Sequence, residues 1–319
     1  MSDTPLDPVR PTAAIERGEW VIDELHGWGT LASIVPPRFE SYARIFHAAS
    51  ARTRWWTGEE SDPPPINPRI TNRVPHSGNV HQERWAEAAR RWGTVFHPQA
   101  QWGSIIAAYR QPGFGMDGLG YSEPRPGRME LGELAVVAGV LARHTTTPGD
   151  CIATLWEGHG ELYASATWVF VADASTETSA GDSAEEEETP RSGRVEPDPA
   201  MARALRNPRL DMPGRPSLMF ELDVRALEDT RWAKRSGWVD GLDIGALTPQ
   251  SIWPDDRAWF LASEIDFDST IVAGTPELIR DVLALAATGA IEALEIPADA
   301  DLTITGDRIN PMPEQPDYT

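Results

Sequence analysis

Apolar and polar positions are patterned most legibly between Trp253 and Leu283. Trp259, Leu261 and Ile265 share one side of an extended chain, and Ala258, Phe260 and Ala262 share the other. Both sides stay apolar until Glu264, which predicts a strand buried on both faces of a sheet. Asp266-Phe267-Asp268-Ser269 supplies a turn, and Thr270 to Ala273 returns as the partner strand. Gly274 then breaks the chain, Thr275 offers a helix cap, and Pro276 suits the first helical position. Leu278, Ile279, Val282, Leu283 and Ala286 make one helical stripe, which Gly289 ends.

Elsewhere the same reading gives a looser outline. Residues 1–11 are polar and proline-rich and are expected to form a flexible arm. Ile15, Trp20, Val21 and Leu25 suggest a short amphipathic helix before Gly27 and Gly29, and Phe39 to His47 a strand. A long irregular connection should occupy residues 51–79, which hold Trp55-Trp56 and a run of prolines. Asn79, with Gln82 three residues on, predicts a capped helix whose inner stripe is Trp85, Ala88, Ala89 and Trp92. Gly103 to Arg110 reads as a strand. Met129 to His144 reads as a helix with Glu130 and Glu133 at its start and Arg143 and His144 at its end.

Cys151–Glu157 and Leu162–Ala172 predict a hairpin across Gly158-His159-Gly160. Residues 173–199, with EEEE and no apolar period, predict a disordered acidic loop. Past them Leu218, Phe220, Leu222 and Val224 alternate with Glu221 and Asp223. Strands mixed with helices and hairpins predict an α+β fold, a mixed and largely antiparallel sheet with helices packed on it. Residues 12–172 and 200–310 are expected to form one domain, and 311–319 a flexible tail.

Charge narrows the function classes. A formal net charge of -21 disfavours a nucleic-acid backbone as partner, since phosphates are bound by clustered cations. No apolar run approaches the ~20 residues that cross a bilayer, so no membrane role is expected. The first twenty residues lack the order of a secretory signal, and Cys151 has no second cysteine to pair with. A cytoplasmic protein is the expectation. Lys234 is the only lysine, so lysine chemistry has a single candidate.

Each catalytic motif comes with a plainer explanation. Gly113, Gly115 and Gly118 spell the dinucleotide fingerprint, but the prolines that follow forbid the helix it needs. Asp266-x-Asp268-x-Thr270 resembles the opening motif of haloacid-dehalogenase-like phosphatases, in which the first Asp is the nucleophile and the second an acid/base. About fifty residues follow and no lysine, so a hairpin turn explains it better. His47, His97, His144 and His159 could assemble a metal site only from distant positions. The most reactive-looking stretch holds His144, Asp150 and Cys151, which could serve as base, orienter and nucleophile. Helix capping by His144 and core packing of Cys151 are the plainer roles. Of the thirteen tryptophans, Trp85, Trp92, Trp156, Trp168 and Trp259 lie on apolar faces and read as core. Trp55 and Trp56 are adjacent in an irregular loop, with Arg52 and Arg54 beside them, and are the candidate contact residues.

YARIFHAA, RWAEAARRWG, ARHTTTPGDCIATLWEG and WPDDRAWFLASEIDFDSTIVAGTPELI occur here in that order. They resemble a group of uncharacterised actinobacterial proteins of similar length. The resemblance spans most of the chain outside residues 173–199 and implies a soluble bacterial protein with no known cofactor or activity. The expectation is therefore a non-enzymatic binding or regulatory protein acting through a protein partner, without cofactor. The alternative is an enzyme with a cleft around His144 and Cys151.

Overall fold

A computed structural model describes residues 8–53, 80–106, 119–163, 198–238 and 246–310. The strands are β1 (Val9–Thr12), β2 (Ser41–Phe46), β3 (Ala49–Thr53), β4 (Val80–Glu83), β5 (Leu119–Ser122) and β6 (Cys151–Trp156). They continue with β7 (Leu210–Met212), β8 (Arg215–Leu222), β9 (Ser251–Pro254), β10 (Phe260–Ala262), β11 (Ser269–Gly274) and β12 (Ala293–Glu295). The helices are α1 (Glu19–Glu24), α2 (Trp85–Trp92), α3 (Trp102–Ile106), α4 (Leu131–Leu141), α5 (Pro199–Ala204), α6 (Trp232–Arg235) and α7 (Pro276–Ala287).

The fold is α+β. Nine strands form one sheet in the order β1-β8-β6-β9-β10-β11-β2-β12, with β7 also on β8. Both halves of the chain supply strands to it, and its described pairings are all antiparallel. A smaller sheet runs β4-β3-β5. Because side chains alternate along a strand, the large sheet buries two different faces. On the first, Ala153, Leu155, Phe220, Leu261 and Val272 pack under Leu134, Val137 and Leu141 of α4 and Leu278, Ile279 and Val282 of α7. On the second, Ile152, Met219, Trp253, Phe260 and Ile271 pack under Trp20 and Val21 of α1 and the chain after it. A third cluster gathers Phe46, Trp85, Ala88, Trp102 and Ile105.

The stretch from Trp259 to Gly289 forms as its pattern predicts. Trp259 and Phe260 are fully buried on opposite faces. The Thr275 hydroxyl accepts from the Leu278 amide, Pro276 opens α7, and Gly289 is left-handed at φ 78°. The Trp259 indole N–H donates to the Leu141 carbonyl at 3.0 Å, tying the chain entering β10 to the end of α4.

Other expectations need correction. Of the arm expected over residues 1–11, residues 1–7 lie outside the described residues, and Val9 to Pro11 is not loose: Val9 is buried, and the segment pairs with β8. The helix expected from Asn79 starts at Trp85, because Val80–Glu83 pairs with β3. Its first amides, Trp85 and Ala86, donate to the Glu292 carboxylate at 2.7 and 2.8 Å, which replaces the local capping box. Trp102–Ile106 is helical rather than extended, its apolar residues falling at helical spacing. Both edges of β6 are taken by β8 and β9, and Gly160–Tyr163 is a 3-10 turn rather than the start of a strand; residues 164–172 of the expected hairpin, with Trp168, lie outside the described residues. Asp198 and Pro199, assigned to the acidic loop, instead cap and open α5, with Asp198 accepting from the Ala200 amide. The rest of that loop and the 311–319 tail lie outside the described residues.

One buried cation holds the large sheet to the third cluster. Arg44 of β2 is 1% exposed. It donates to Ser269 Oγ at 2.9 Å, to the Pro98 and Ala100 carbonyls at 3.0 and 2.9 Å, and to Asp268 at 3.1 Å. Its guanidinium also lies over the rings of Phe46 and Trp85. Burial pulls its pKa below the ordinary value, and the Asp268 carboxylate offsets part of that. Replacing Arg44 by methionine should therefore cost about 3–5 kcal/mol in urea unfolding, since it strands the half-buried Asp268 carboxylate together with the Ser269, Pro98 and Ala100 oxygens. A loss below ~1 kcal/mol would show that water solvates these groups once the guanidinium is gone.

Glu133 on α4 has a buried carboxylate oxygen without a partner. Burial, aided by Glu130 and countered by Arg84, pushes its carboxyl up to about 7. A raised folded pKa means the stability present below the ordinary value of 4.5 is lost as pH rises through about 7. Glu133→Gln removes that loss. The variant should melt higher than the parent at pH 8 and close to it at pH 5; a constant difference across that range would contradict the assignment.

Candidate functional site

The second face of the large sheet is not covered along its whole length. By register, Met219, Thr154, Ser251 and Ala262 stand side by side across β8, β6, β9 and β10. One step further along, Trp156 stands opposite Ser217. α1 ends at Glu24, with Leu25 already extended. Beyond it the face opens into a cleft of about 470 Å³, within the size range of ligand sites. Thr154, Ser217, Ser251 and Ala262 form its floor. Its walls are the chain from Leu25 to Ile34, the β7–β8 turn at Met212–Arg215, and Glu264, Asp266 and Phe267 between β10 and β11.

Trp28 stands at this cleft and is 82% exposed. Gly27 and Gly29 on either side are left-handed, at φ 78° and 73°, a conformation that glycine adopts without the Cβ penalty. The Gly29 carbonyl accepts from the Leu302 amide at 2.8 Å, and Thr30 bridges to Asp301. A Cβ on Gly29 would meet Thr303 at 2.3 Å. Before the indole, the His26 amide donates to the Ala32 carbonyl at 3.1 Å, so the backbone is held on both sides of an uncovered ring. The ring is left uncovered at the mouth of the cleft.

Trp156 makes a second aromatic wall. Its amide donates to Gln250 Oε1 at 2.7 Å, and the Arg215 guanidinium lies 5.5 Å from its ring centroid. Gly158 is required beside it, because a Cβ there would fall 2.1 Å from the indole. Arg215 also donates to Glu264 at 3.1 Å and to Asp266. Burial raises the Glu264 carboxyl above its ordinary range, while the Ile265 amide and Arg215 pull it back. Two carboxylates therefore face one guanidinium at the rim. Gln250 Nε2 meets His159 Nε2 at 3.0 Å. Arg215, Glu264 and Asp266 are spent on one another, and among the described residues no hydroxyl lining the cleft is bonded to a base. The arrangement can hold a ligand; it lacks a nucleophile–base pair.

Comparison with protein-family models, curated proteins and solved structures finds no match.

The sequence candidates fall elsewhere. Cys151 lies in mid-sheet and is fully buried, and burial pushes its thiol up to about 12. His144 pairs with Asp281 of α7 at 2.8 Å, and Asp150 pairs with Arg17 at 2.6 Å. The three do not form a catalytic set: strand alternation turns Cys151 into the first-face core, and its neighbours are committed to other chains of contact. The four histidines also separate. His47 bonds Thr270 and the Arg125 carbonyl, and His97 bonds Asp307. Among the described residues no three His, Cys, Asp or Glu gather to hold a metal. The phosphatase-like motif is the turn between two adjacent antiparallel strands, with Asp266 on Arg215 and Asp268 on Arg44.

Trp55, Trp56 and Arg54 lie outside the described residues, as do Gly113, Gly115 and Gly118. Arg52 is known only as a backbone partner of Val80 and Gly120 in the small sheet. Trp28, the exposed indole, carried one signal in the sequence: a tryptophan bracketed by glycines in HGWGT. Trp156, read as core, is only partly buried because its face of β6 runs into the cleft.

The Cys151 assignment has a direct check. In the folded protein at pH 8 the thiol should resist a disulfide reagent such as dithiobis-nitrobenzoate for hours, and react at once in guanidinium. Rapid stoichiometric reaction of the folded protein would restore Cys151 as a candidate nucleophile.

Proposed function

We propose that the protein is a non-enzymatic binding protein that captures a segment of a protein partner in the Trp28 cleft. The observation that carries this reading is the Trp28 indole, 82% exposed and pinned between two left-handed glycines at the edge of an aromatic-walled cleft. A rigid aromatic anchor contributes large contact area at small entropic cost, which is why tryptophan recurs at the energetic centres of interfaces. The cleft volume suits a few side chains rather than a folded domain. Glu264 and Asp266 at the rim, on a chain of net charge -21, favour a segment carrying lysine or arginine beside its apolar residues. The same charge speaks against nucleic acid as the partner. A cytoplasmic site of action fits the lone buried thiol and the absence, among the described residues, of a helix long and apolar enough to cross a membrane. The rival enzymatic reading loses its support once His144, Asp150 and Cys151 are seen in separate contacts.

Selection from a random peptide library displayed on phage tests the reading. Enriched peptides should combine an aromatic residue with lysine or arginine. Trp28→Ala should weaken them roughly thirtyfold, the scale of a hot-spot truncation of about 2 kcal/mol, while its melting temperature stays close to the parent's. Enrichment that ignores Trp28, or none at all, would remove the cleft as the binding site.

A further inference from the structure

The floor of the cleft holds a group that neither folding nor the rim explains. Thr154 is fully buried in β6 and lines the cleft, and its hydroxyl oxygen has no hydrogen-bond partner. It sits between Met219 of β8 and Ser251 of β9, on a face otherwise filled by Ile152, Trp253, Phe260 and Ile271. A valine would match its shape and suit its neighbours. A buried hydroxyl left unpaired is a standing cost, so its presence at a cleft floor calls for a ligand atom to pair with it. Of the other polar floor groups, Ser217 donates to the Arg215 carbonyl, and Gln250 is held by Trp156, His159 and the Thr248 carbonyl; the Ser251 hydroxyl, beside Thr154, is the second floor group open to a ligand.

We infer that Thr154 marks a subsite for the hydroxyl of a tyrosine side chain, whose ring lies against Trp156 and Trp28. This rests on the reading of the cleft as a peptide-binding site and names the residue it selects. A phenol can both donate and accept, as can the Thr154 hydroxyl, so the pair is satisfied in either direction. The apolar ring suits walls made by Trp156, Phe267, Leu25 and Met212. A carboxylate or phosphate is disfavoured by Glu264 and Asp266, which already engage the single guanidinium of Arg215. A lysine or arginine head would find its opposite charge at those two carboxylates on the rim, and not at the neutral floor.

N-acetyl-tyrosinamide and N-acetyl-phenylalaninamide differ by the one atom in question. Each would be titrated into the full chain at millimolar concentration and followed through the indole N–H signals of the tryptophans by NMR. The parent should bind the tyrosine amide roughly tenfold more tightly than the phenylalanine amide, the scale of one buried hydrogen bond. Thr154→Val should bind both as the parent binds the phenylalanine amide. It should also remain folded and melt no lower than the parent, because it removes an unpaired polar group. Thr154→Ser, which keeps the hydroxyl, should restore the preference. Equal binding of the two amides by the parent would overturn the subsite while leaving the cleft as a binding site. A preference that survives in Thr154→Val would assign the phenol to another group and overturn it as well. If neither amide moves an indole signal, the cleft reading itself fails and the subsite with it.

Discussion

The buried guanidinium of Arg44 is the contact on which this end of the structure depends. Removing a cation from water is costly, and it is offset here only because donors at all three guanidinium nitrogens meet oxygen and two aromatic faces flank the charge. That geometry joins β2, the start of β11, the chain before α3 and the third apolar cluster. It also decides how the turn between β10 and β11 lies. Asp268 is drawn inward to Arg44, while Asp266, two residues earlier, pairs with Arg215 at the cleft. The ion pair of buried Arg44 thus anchors the turn that carries a rim carboxylate, without touching the cleft.

The cleft itself follows from a mismatch between a sheet face and its cover. β6, β8, β9 and β10 are apolar on both sides over most of their length, and α4 and α7 cover the first side continuously. The second side is covered by a six-residue helix and an irregular chain. Where that cover stops, the floor changes from Ile152 and Trp253 to Thr154 and Ser251, and the next residue of β6 on that face is a tryptophan braced by Arg215. A floor of small polar groups between aromatic walls is what a ligand site needs, and a poor choice for a packed core.

Legibility in the sequence tracked the range of the interactions involved. The stretch from Trp259 to Gly289 could be read because turn, cap and apolar stripe are local, and burial on both faces agrees with them. Asn79 misled because its capping pattern is equally local, yet the chain there pairs as a strand and α2 is capped by Glu292, about two hundred residues away. The partners of β6 were hidden for the same reason: β8 and β9 come after a long intervening segment, and no local pattern announces them. Of the site, Arg215, Glu264 and Thr154 looked like ordinary strand residues. Their convergence is a property of register, which alternation alone does not supply.

Unpaired buried groups elsewhere sharpen the meaning of Thr154. The indole nitrogens of Trp232 and Trp238 are also buried without partners. Their rings pack edge-to-face with each other, and that of Trp238 also with Phe220, deep in the first-face core, where the area they bury compensates for one unmade bond each. Thr154 has no such compensation, because its hydroxyl adds no apolar area and a valine would bury more. Ser104 of α3 also has a buried hydroxyl without a partner, but it is away from the cleft; Thr154 breaks the local rule where its sheet face opens to a cleft, and is better explained by what enters the cleft than by what holds the fold.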